Sequence, residues 1–360
     1  MISNPLSSHP GFAQVFKPDR MTLGFMMPLA RLDGGMPNMA GQLELASLVD
    51  DLGFAAVWAR DVPFFDLGFG DAGQIYDPWI WLGMLAARTT RIALATAGIV
   101  LPLRHPFHTA KAAFTLDTVS GGRFILGGAS GDRPAEFPAF GTDFTARGGI
   151  YRHAIGAIRG VAARYPSLSG PFGELKGLDM LPKPSRGTLP MVAIGSAQQT
   201  VEWIAENMDG WMTYPRDAVD QRKRMALWKS AVERKAPGSF KPFGQPLLID
   251  LLDNPAAAPT PIPLGFRSGR NALVRHLDAL AELGVNHVAL QLRFQQRPIR
   301  ETIEELAVEV LPRYPTQTAI GSQPDAHLED ELDEALAQTF PASDPVSITP
   351  SYSISTAKQR

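Results

Sequence analysis

The chain has no cysteine among its 360 residues. That excludes disulfides, thiolate nucleophiles, Fe–S clusters and thiolate metal sites, so any redox chemistry has to come from a bound cofactor. It also has almost no excess charge, with 34 Lys and Arg against 36 Asp and Glu. No strong field draws such a chain to nucleic acid or to an anionic membrane. No apolar run approaches the ~20 residues that span a bilayer. The first twenty residues lack the continuous hydrophobic core of a signal peptide. The expectation is a cytoplasmic enzyme without nucleic-acid or membrane partners.

Several catalytic signatures are missing as well. There is no G-x-S-x-G nucleophile elbow, and the first strand ends Phe25-Met26-Met27-Pro28 rather than in the His-x-His of a metal-dependent hydrolase barrel. His105 and His108 have H-x-x-H spacing but no glutamate between them and no third ligand, so no metal site is expected.

What is present is an alternation of strands and helices. Strand candidates lie near 22–28, 55–60, 92–101, 123–128, 190–195, 210–214, 246–252 and 286–292. Helical spacing joins Leu45, Leu48, Val49 and Leu52, then Leu273, Leu277 and Leu280, then Ile299, Ile303, Leu306 and Val310. Gly53, Gly121 and Gly284 follow three of the helices, where a left-handed cap favours glycine. Eight such units predict an α/β fold, a (β/α)8 TIM barrel. A doubly wound sheet is the competitor, but the glycines after the fourth strand (Gly127, Gly128, Gly131) do not match the G-x-G-x-x-G fingerprint.

Two insertions are expected. Residues 165–189, rich in Pro and Gly, suit a hairpin flap before strand five. Residues 253–263, with Pro255, Pro259, Pro261 and Pro263, suit a stiff loop after strand seven. The expected domains are the barrel at 1–315 and a C-terminal extension at 316–360. In the extension an acidic amphipathic stretch (Leu328, Leu332, Ala335, Leu336) precedes a Ser/Thr/Pro-rich tail expected to be disordered.

Ligands bind at the carboxyl ends of barrel strands, so the candidates come from there. After strand five, Gly195-Ser196-Ala197 could cradle a phosphate, or be an ordinary turn with Ser196 as helix cap. After strand four, Ser130-Gly131-Asp132-Arg133 with Glu136 and Arg147 offers guanidinium groups for phosphate, or a surface ion pair among Asp132, Arg133 and Glu136. After strand three come Arg104 and His105, with Pro106 making His105 a natural cap. Asp77-Pro78 reads as a cap too. Phe64, Phe65 and Phe69 either line a pocket or cover the barrel end. A lyase or isomerase reading, on a phosphorylated substrate, would need a catalytic lysine or carboxylate at a strand end, for which only Asp250 or Asp253 could serve.

Taken in order, several runs resemble the luciferase-like monooxygenase family of flavin-dependent oxidoreductases over residues 22–312. They are Thr90 to Pro106, Lys111-Ala112-Ala113, Ser120-Gly121-Gly122-Arg123, Gly127 to Gly131 and Glu136 to Gly141, supported by Leu52-Gly53-Phe54, Leu181 to Pro184 and Leu283-Gly284-Val285. The resemblance implies a barrel that binds reduced flavin, FMN (as FMNH2) or the deazaflavin F420, across its mouth. The ring would lie at Ala97-Gly98-Ile99, where family members often carry a bulge or a non-proline cis peptide. The phosphate would lie near Ser130, Gly131, Arg147, Gly195, Ser196 and Ala197. It further implies O2 and a small organic molecule as substrates, a flavin reductase as partner and a homodimer. Arg104 and His105 are the expected groups to act on substrate or on the oxygenated cofactor. The cysteine and the paired histidines of light-emitting members are absent, so light emission is not expected. Asp132-Arg133 replaces the family's usual aromatic, so substrate class does not carry over.

Overall fold

The computed structural model describes residues 5–33, 36–69 and 71–316. Eight parallel strands form its centre: β1 (Thr22–Met26), β2 (Ala56–Ala59), β3 (Ala93–Thr96), β4 (Phe124–Ala129), β5 (Met191–Ile194), β6 (Gly210–Met212), β7 (Phe243–Leu251) and β8 (His287–Gln291). Each pairs with its sequence neighbours, and β1 pairs with β8 from Thr22↔His287 to Phe25↔Leu290. The ring is closed. This is the expected (β/α)8 barrel.

Alternation along each strand divides two apolar layers. Ala56, Trp58, Ala93, Ala95, Ile125, Val192 and Ala289 pack inside the barrel. Val57, Leu94, Phe124, Ala193 and Leu290 face outward into the layer beneath the helices. The helices are α1 (Gln42–Asp51), α2 (Pro78–Arg88), α3 (Pro106–Val119), α4 (Arg147–Gly160), α5 (Val201–Asn207), α6 (Ala218–Lys235), α7 (Arg270–Leu283) and α8 (Ile299–Glu309). The expected glycine caps appear after α1, α3 and α7, with Gly53, Gly121 and Gly284 at φ +87, +68 and +92°. Asp77 caps α2, accepting from the N–H groups of Trp79 and Ile80.

The amino-terminal end of the barrel is plugged by a short helix (Pro10–Val15) that composition alone did not reveal. Phe12, Val15 and Phe16 join the interior cluster. A Cβ on Gly11 would lie 2.5 Å from the Arg123 carbonyl oxygen, so only glycine permits this approach. Above the plug, the Trp58 indole donates to His287 Nε2 at 2.9 Å. Because indole N–H can only donate, Nε2 accepts and the imidazole proton sits on Nδ1, facing Thr22 Oγ1 at 2.8 Å. Thr22 in turn donates to the Val15 carbonyl at 2.6 Å. Burial pushes His287 down to about 3, so the ring is neutral.

The segment at 165–189 contains the expected hairpin, Leu168–Gly170 against Gly173–Leu175. The proline-rich segment after β7 is corrected. It is not merely a stiff loop, because Thr260–Ile262 pairs antiparallel with Gly265–Ser268, which itself pairs parallel with β7 from Leu248 to Leu251. Pro261 is tolerated because its strand is at the edge. β7 is nine residues long; its carboxyl half outruns β6 and β8 and offers the hairpin an open ladder. The barrel lies in a unit running Met1–Gln317, and the extension expected at 316–360 falls, from residue 317 on, outside the described residues. No helix among the described residues is long and apolar enough to cross a membrane.

Candidate active site at the carboxyl rim

Strand three does not run unbroken over 92–101. After Thr96 the chain leaves the ladder, Gly98 turns at φ +109°, and Ile99–Val100 re-pairs with Gly128 and Ala129 of β4. This is the expected bulge; among the described residues the cis peptides are Met27–Pro28 and Leu181–Pro182, and neither lies there. A Cβ on Gly98 would lie 2.8 Å from Ala129 Cβ, and one on Gly131 2.8 Å from the Phe137 ring. Both glycines let β3 and β4 deliver bare backbone to the rim.

After β5 the chain makes a second unusual turn. Gly195, Ala197 and Gln198 all have positive φ, at +67, +48 and +57°. Left-handed backbone at two non-glycine residues stores strain, and such turns aim successive N–H groups into a concavity suited to anions. The Trp211 indole anchors the turn by donating to the Gly195 carbonyl at 2.6 Å. Ser196 does not cap the following helix. Thr200 does, accepting the N–H of Trp203, so Ser196 stays exposed at the turn.

The third wall comes from residues 130–147. Arg133 and Glu136 are buried and make no surface ion pair with Asp132, contrary to the simpler reading of that cluster. Arg133 instead donates through Nη2 to the Asp71 carbonyl at 2.9 Å and packs on the Phe69 ring, leaving buried Nη1 without a partner. Glu136 Oε1 is likewise unpartnered, and burial pushes its carboxyl up to about 7. Arg147 opens α4, whose first turn has no side-chain cap. Its Nη1 holds the Phe144 carbonyl at 2.7 Å and its buried Nε has no partner.

These walls enclose one cavity of about 310 Å³. Ala97 and Gly98 line it just after β3, Ser130 and Gly131 just after β4, Gly195, Ser196 and Ala197 just after β5, and Arg147 from the start of α4. Eight of the nine residues expected near a cofactor therefore meet in a single place; Ile99 is buried in the core behind it. A second cavity of about 250 Å³ adjoins it and shares Arg60, Ala97, Ile194, Gly195 and Tyr214. Phe69 lines this chamber, whereas Phe64 stacks on Phe140. Sequence reasoning gave no role to Asp71, Arg293 or Tyr214, which approach only once the barrel closes.

Arg104 and His105 stand apart from both cavities, which corrects their expected place. Arg104 binds Asp61 through Nε and Nη2 at 2.9 and 2.7 Å and reaches Asp77 at 3.1 Å. Burial alone would lower its basicity, but the paired carboxylates raise it. Asp61 in turn accepts the Val100 N–H at 3.1 Å, so Arg104 braces the cavity wall from behind. His105 is exposed and caps α3, its Nδ1 accepting the Phe107 N–H. Asp250 pairs with Arg267 and Asp253 with Arg297, and neither lines either cavity.

The donors fit a phosphate-bearing planar cofactor. Two buried guanidinium nitrogens lack partners, a left-handed turn faces them, and two glycines clear the adjacent wall.

The 4-hydroxyprotoasukamycin monooxygenase of Streptomyces nodosus subsp. asukaensis is 35% identical over 128 residues, covering 35% of this chain and 33% of that protein. An uncharacterized protein of Mycobacterium tuberculosis is 33% identical over 161 residues, 43% of this chain and 57% of its own. The chain thus spans about half or less of the length of these curated relatives. An F420-dependent secondary alcohol dehydrogenase, solved with an F420–acetone adduct, superposes with TM-score 0.66 at 16% identity over 82% of this chain and 99% of its own. The oxygenating constituent of 3,6-diketocamphane monooxygenase from Pseudomonas putida, solved with FMN, does so with TM-score 0.66 at 14% identity over 82% and 98%. At such identities the likeness concerns the fold. The sequence profile of one family, described as luciferase-like monooxygenase, matches residues 21–303. With a closed barrel and a phosphate-suited rim already in place, that match over most of the chain means that it belongs to the luciferase-like monooxygenase family.

Proposed function

We propose that the protein is a flavin-dependent oxidoreductase, an FMNH2-utilising monooxygenase acting on a small organic substrate with O2. The observation that carries this reading is the convergence of eight of the expected cofactor residues on one cavity, with Arg147 Nε and Arg133 Nη1 buried there without partners. A reduced flavin would supply the electrons and the centre that reacts with oxygen.

The chain's own residues then bind, orient and exclude water. Arg147 and the 195–198 turn would hold the phosphate, while Ala97 and Gly98 would border the ring. Ile194 and Val100 contribute apolar wall, which keeps bulk water from the reacting face. Arg104 is a positioning residue, acting through Asp61 on the Val100 segment. A separate reductase would deliver the reduced flavin, and a homodimer is the expected assembly.

F420-dependent hydride transfer is the second reading, favoured by the likeness to an F420-dependent dehydrogenase. Anaerobic titration of the purified protein with FMNH2 and with reduced F420, followed by absorbance and fluorescence, tests both. Saturable binding of FMNH2 together with substrate-coupled oxygen uptake supports the first. Binding of F420 alone without oxygen uptake supports the second. No spectral change with either would end the proposal.

A further inference from the structure

The chamber beside the cofactor cavity has an unusual charge balance. Arg60 follows β2 and Arg293 follows β8, and both place Nη1 on the same oxygen of Asp71, Oδ2, at 2.6 and 2.7 Å. The other oxygen, Oδ1, accepts the Gly73 N–H at 2.7 Å. Among the described residues no other charged group lines this chamber, so two cations face one anion. Both guanidinium side chains are only 21% and 23% exposed, so water compensates the excess charge poorly. Each has further N–H donors: among the described residues its one hydrogen bond goes to Asp71.

The remaining walls are mostly apolar, with Met212, Leu248, Leu264 and Phe69 around them beside Thr213, Tyr214 and Gln291. A neutral apolar molecule would leave the excess charge uncompensated, and a cationic one would add to it. An anionic head placed against the guanidiniums, with an apolar body against the opposite wall, satisfies both halves. Planar two-oxygen anions match the guanidinium fork best, whereas Asp71 engages only one nitrogen of each guanidinium and leaves the other N–H groups for such a ligand.

We propose that this chamber selects substrates with an apolar body and a carboxylate head, which Arg60 and Arg293 bind together. The inference rests on the reading that the adjoining cavity takes the cofactor, leaving this chamber to the substrate. Arg293 is the cleaner probe, because Arg60 lines both cavities and Arg293 only this one.

The test is isothermal titration of the full chain with hexanoate, benzoate and 3-phenylpropanoate, each beside its own primary amide. The expected result is that at least one acid binds about 10- to 100-fold more tightly than its amide, the range of a charge-assisted hydrogen-bond pair. Arg293→Gln should abolish that preference and Arg293→Lys should keep part of it. If no acid outbinds its amide, or if the preference survives in Arg293→Gln, the proposal is overturned; the wild-type comparison alone can overturn it even should the variant fail to fold. FMN titration of the same wild-type sample separates the two readings. Acid preference without FMN or F420 binding removes the cofactor assignment and keeps this one. FMN binding without acid preference does the reverse.

Discussion

The hydroxyl of Thr96 accepts the backbone N–H of Gly127 at 2.8 Å and donates to the carbonyl of the same residue at 2.9 Å. One side chain thus replaces two ladder bonds where β3 departs from β4, and the bulge at Gly98 forms without orphaned backbone. A Cβ on Gly127 would lie 1.8 Å from the Thr96 carbonyl oxygen. Gly127→Ala is therefore expected to prevent folding or force β3 and β4 apart. Thr96→Val, of similar shape, leaves two buried backbone groups unpaired and should destabilise by about 2 kcal/mol. Urea denaturation measures both, and a Thr96→Val variant as stable as wild type would remove this account of the bulge.

Arg147 should discriminate flavins by their phosphate. Arg147→Gln is expected to weaken FMN binding by about 10- to 100-fold, the usual worth of a charge-assisted contact. Riboflavin lacks the phosphate, so its affinity should hardly change. Equal losses for the two ligands would place Arg147 at the ring instead.

Glu136 should make stability and cofactor binding depend on pH. Burial, reinforced by Asp61, Asp132 and Asp66 against the opposing Arg133, lifts its carboxyl from 4.5 to about 7. The folded state holds the proton more tightly than the unfolded chain. The stabilisation is thus complete below pH 4.5 and lost as pH rises through 7. Glu136→Gln should flatten that decline and be the more stable protein at pH 8. FMN binding should take up a proton near pH 7, read as a dependence of the binding enthalpy on buffer ionisation.

His287 acts with the opposite sign. Its folded value of about 3 lies below the ordinary 6.5, so its contribution is present above 6.5 and lost as pH falls from there towards 3. His287→Phe should remove that acid sensitivity. It should also destabilise by about 2 kcal/mol at pH 7, because the Trp58 indole loses its acceptor. Thermal unfolding at pH 7 and pH 5 separates the two effects.

Arg104 can be tested as a brace. Arg104→Met leaves Asp61 buried without its guanidinium partner and is expected to lower stability by about 2 kcal/mol or more. Asp61→Asn in the same background should restore part of the loss. A variant with wild-type stability but abolished turnover would instead return Arg104 to the reaction.

Local pattern carried much of the fold. Helix caps at Asp77 and His105, glycines after α1, α3 and α7, and the eight apolar runs depend on contacts within a few residues, which sequence spacing encodes directly. The residues that line the rim cavity were legible for a related reason: a strand end followed by glycine lies on the carboxyl rim of any parallel barrel. Local pattern failed where a choice depended on a partner far away. Ser196 and Thr200 are both fair caps, and the strained turn at 197–198, held by Trp211, decides between them. The prolines at 255–263 look like an unpaired loop until the overhanging end of β7 supplies a ladder.

By itself, then, the amino-acid order determined the repeating unit and the edge of the barrel where ligands are expected, because both follow from short-range periodicity and turn stereochemistry. Only the closed tertiary structure decided which charges meet. Arg60, Asp71 and Arg293 converge because β2 and β8 flank β1 in the ring, and Arg104 is withdrawn from the cavity because Asp61 and Asp77 reach it first. Electrostatic partnerships depend on distance in space, and closure of the barrel sets that distance.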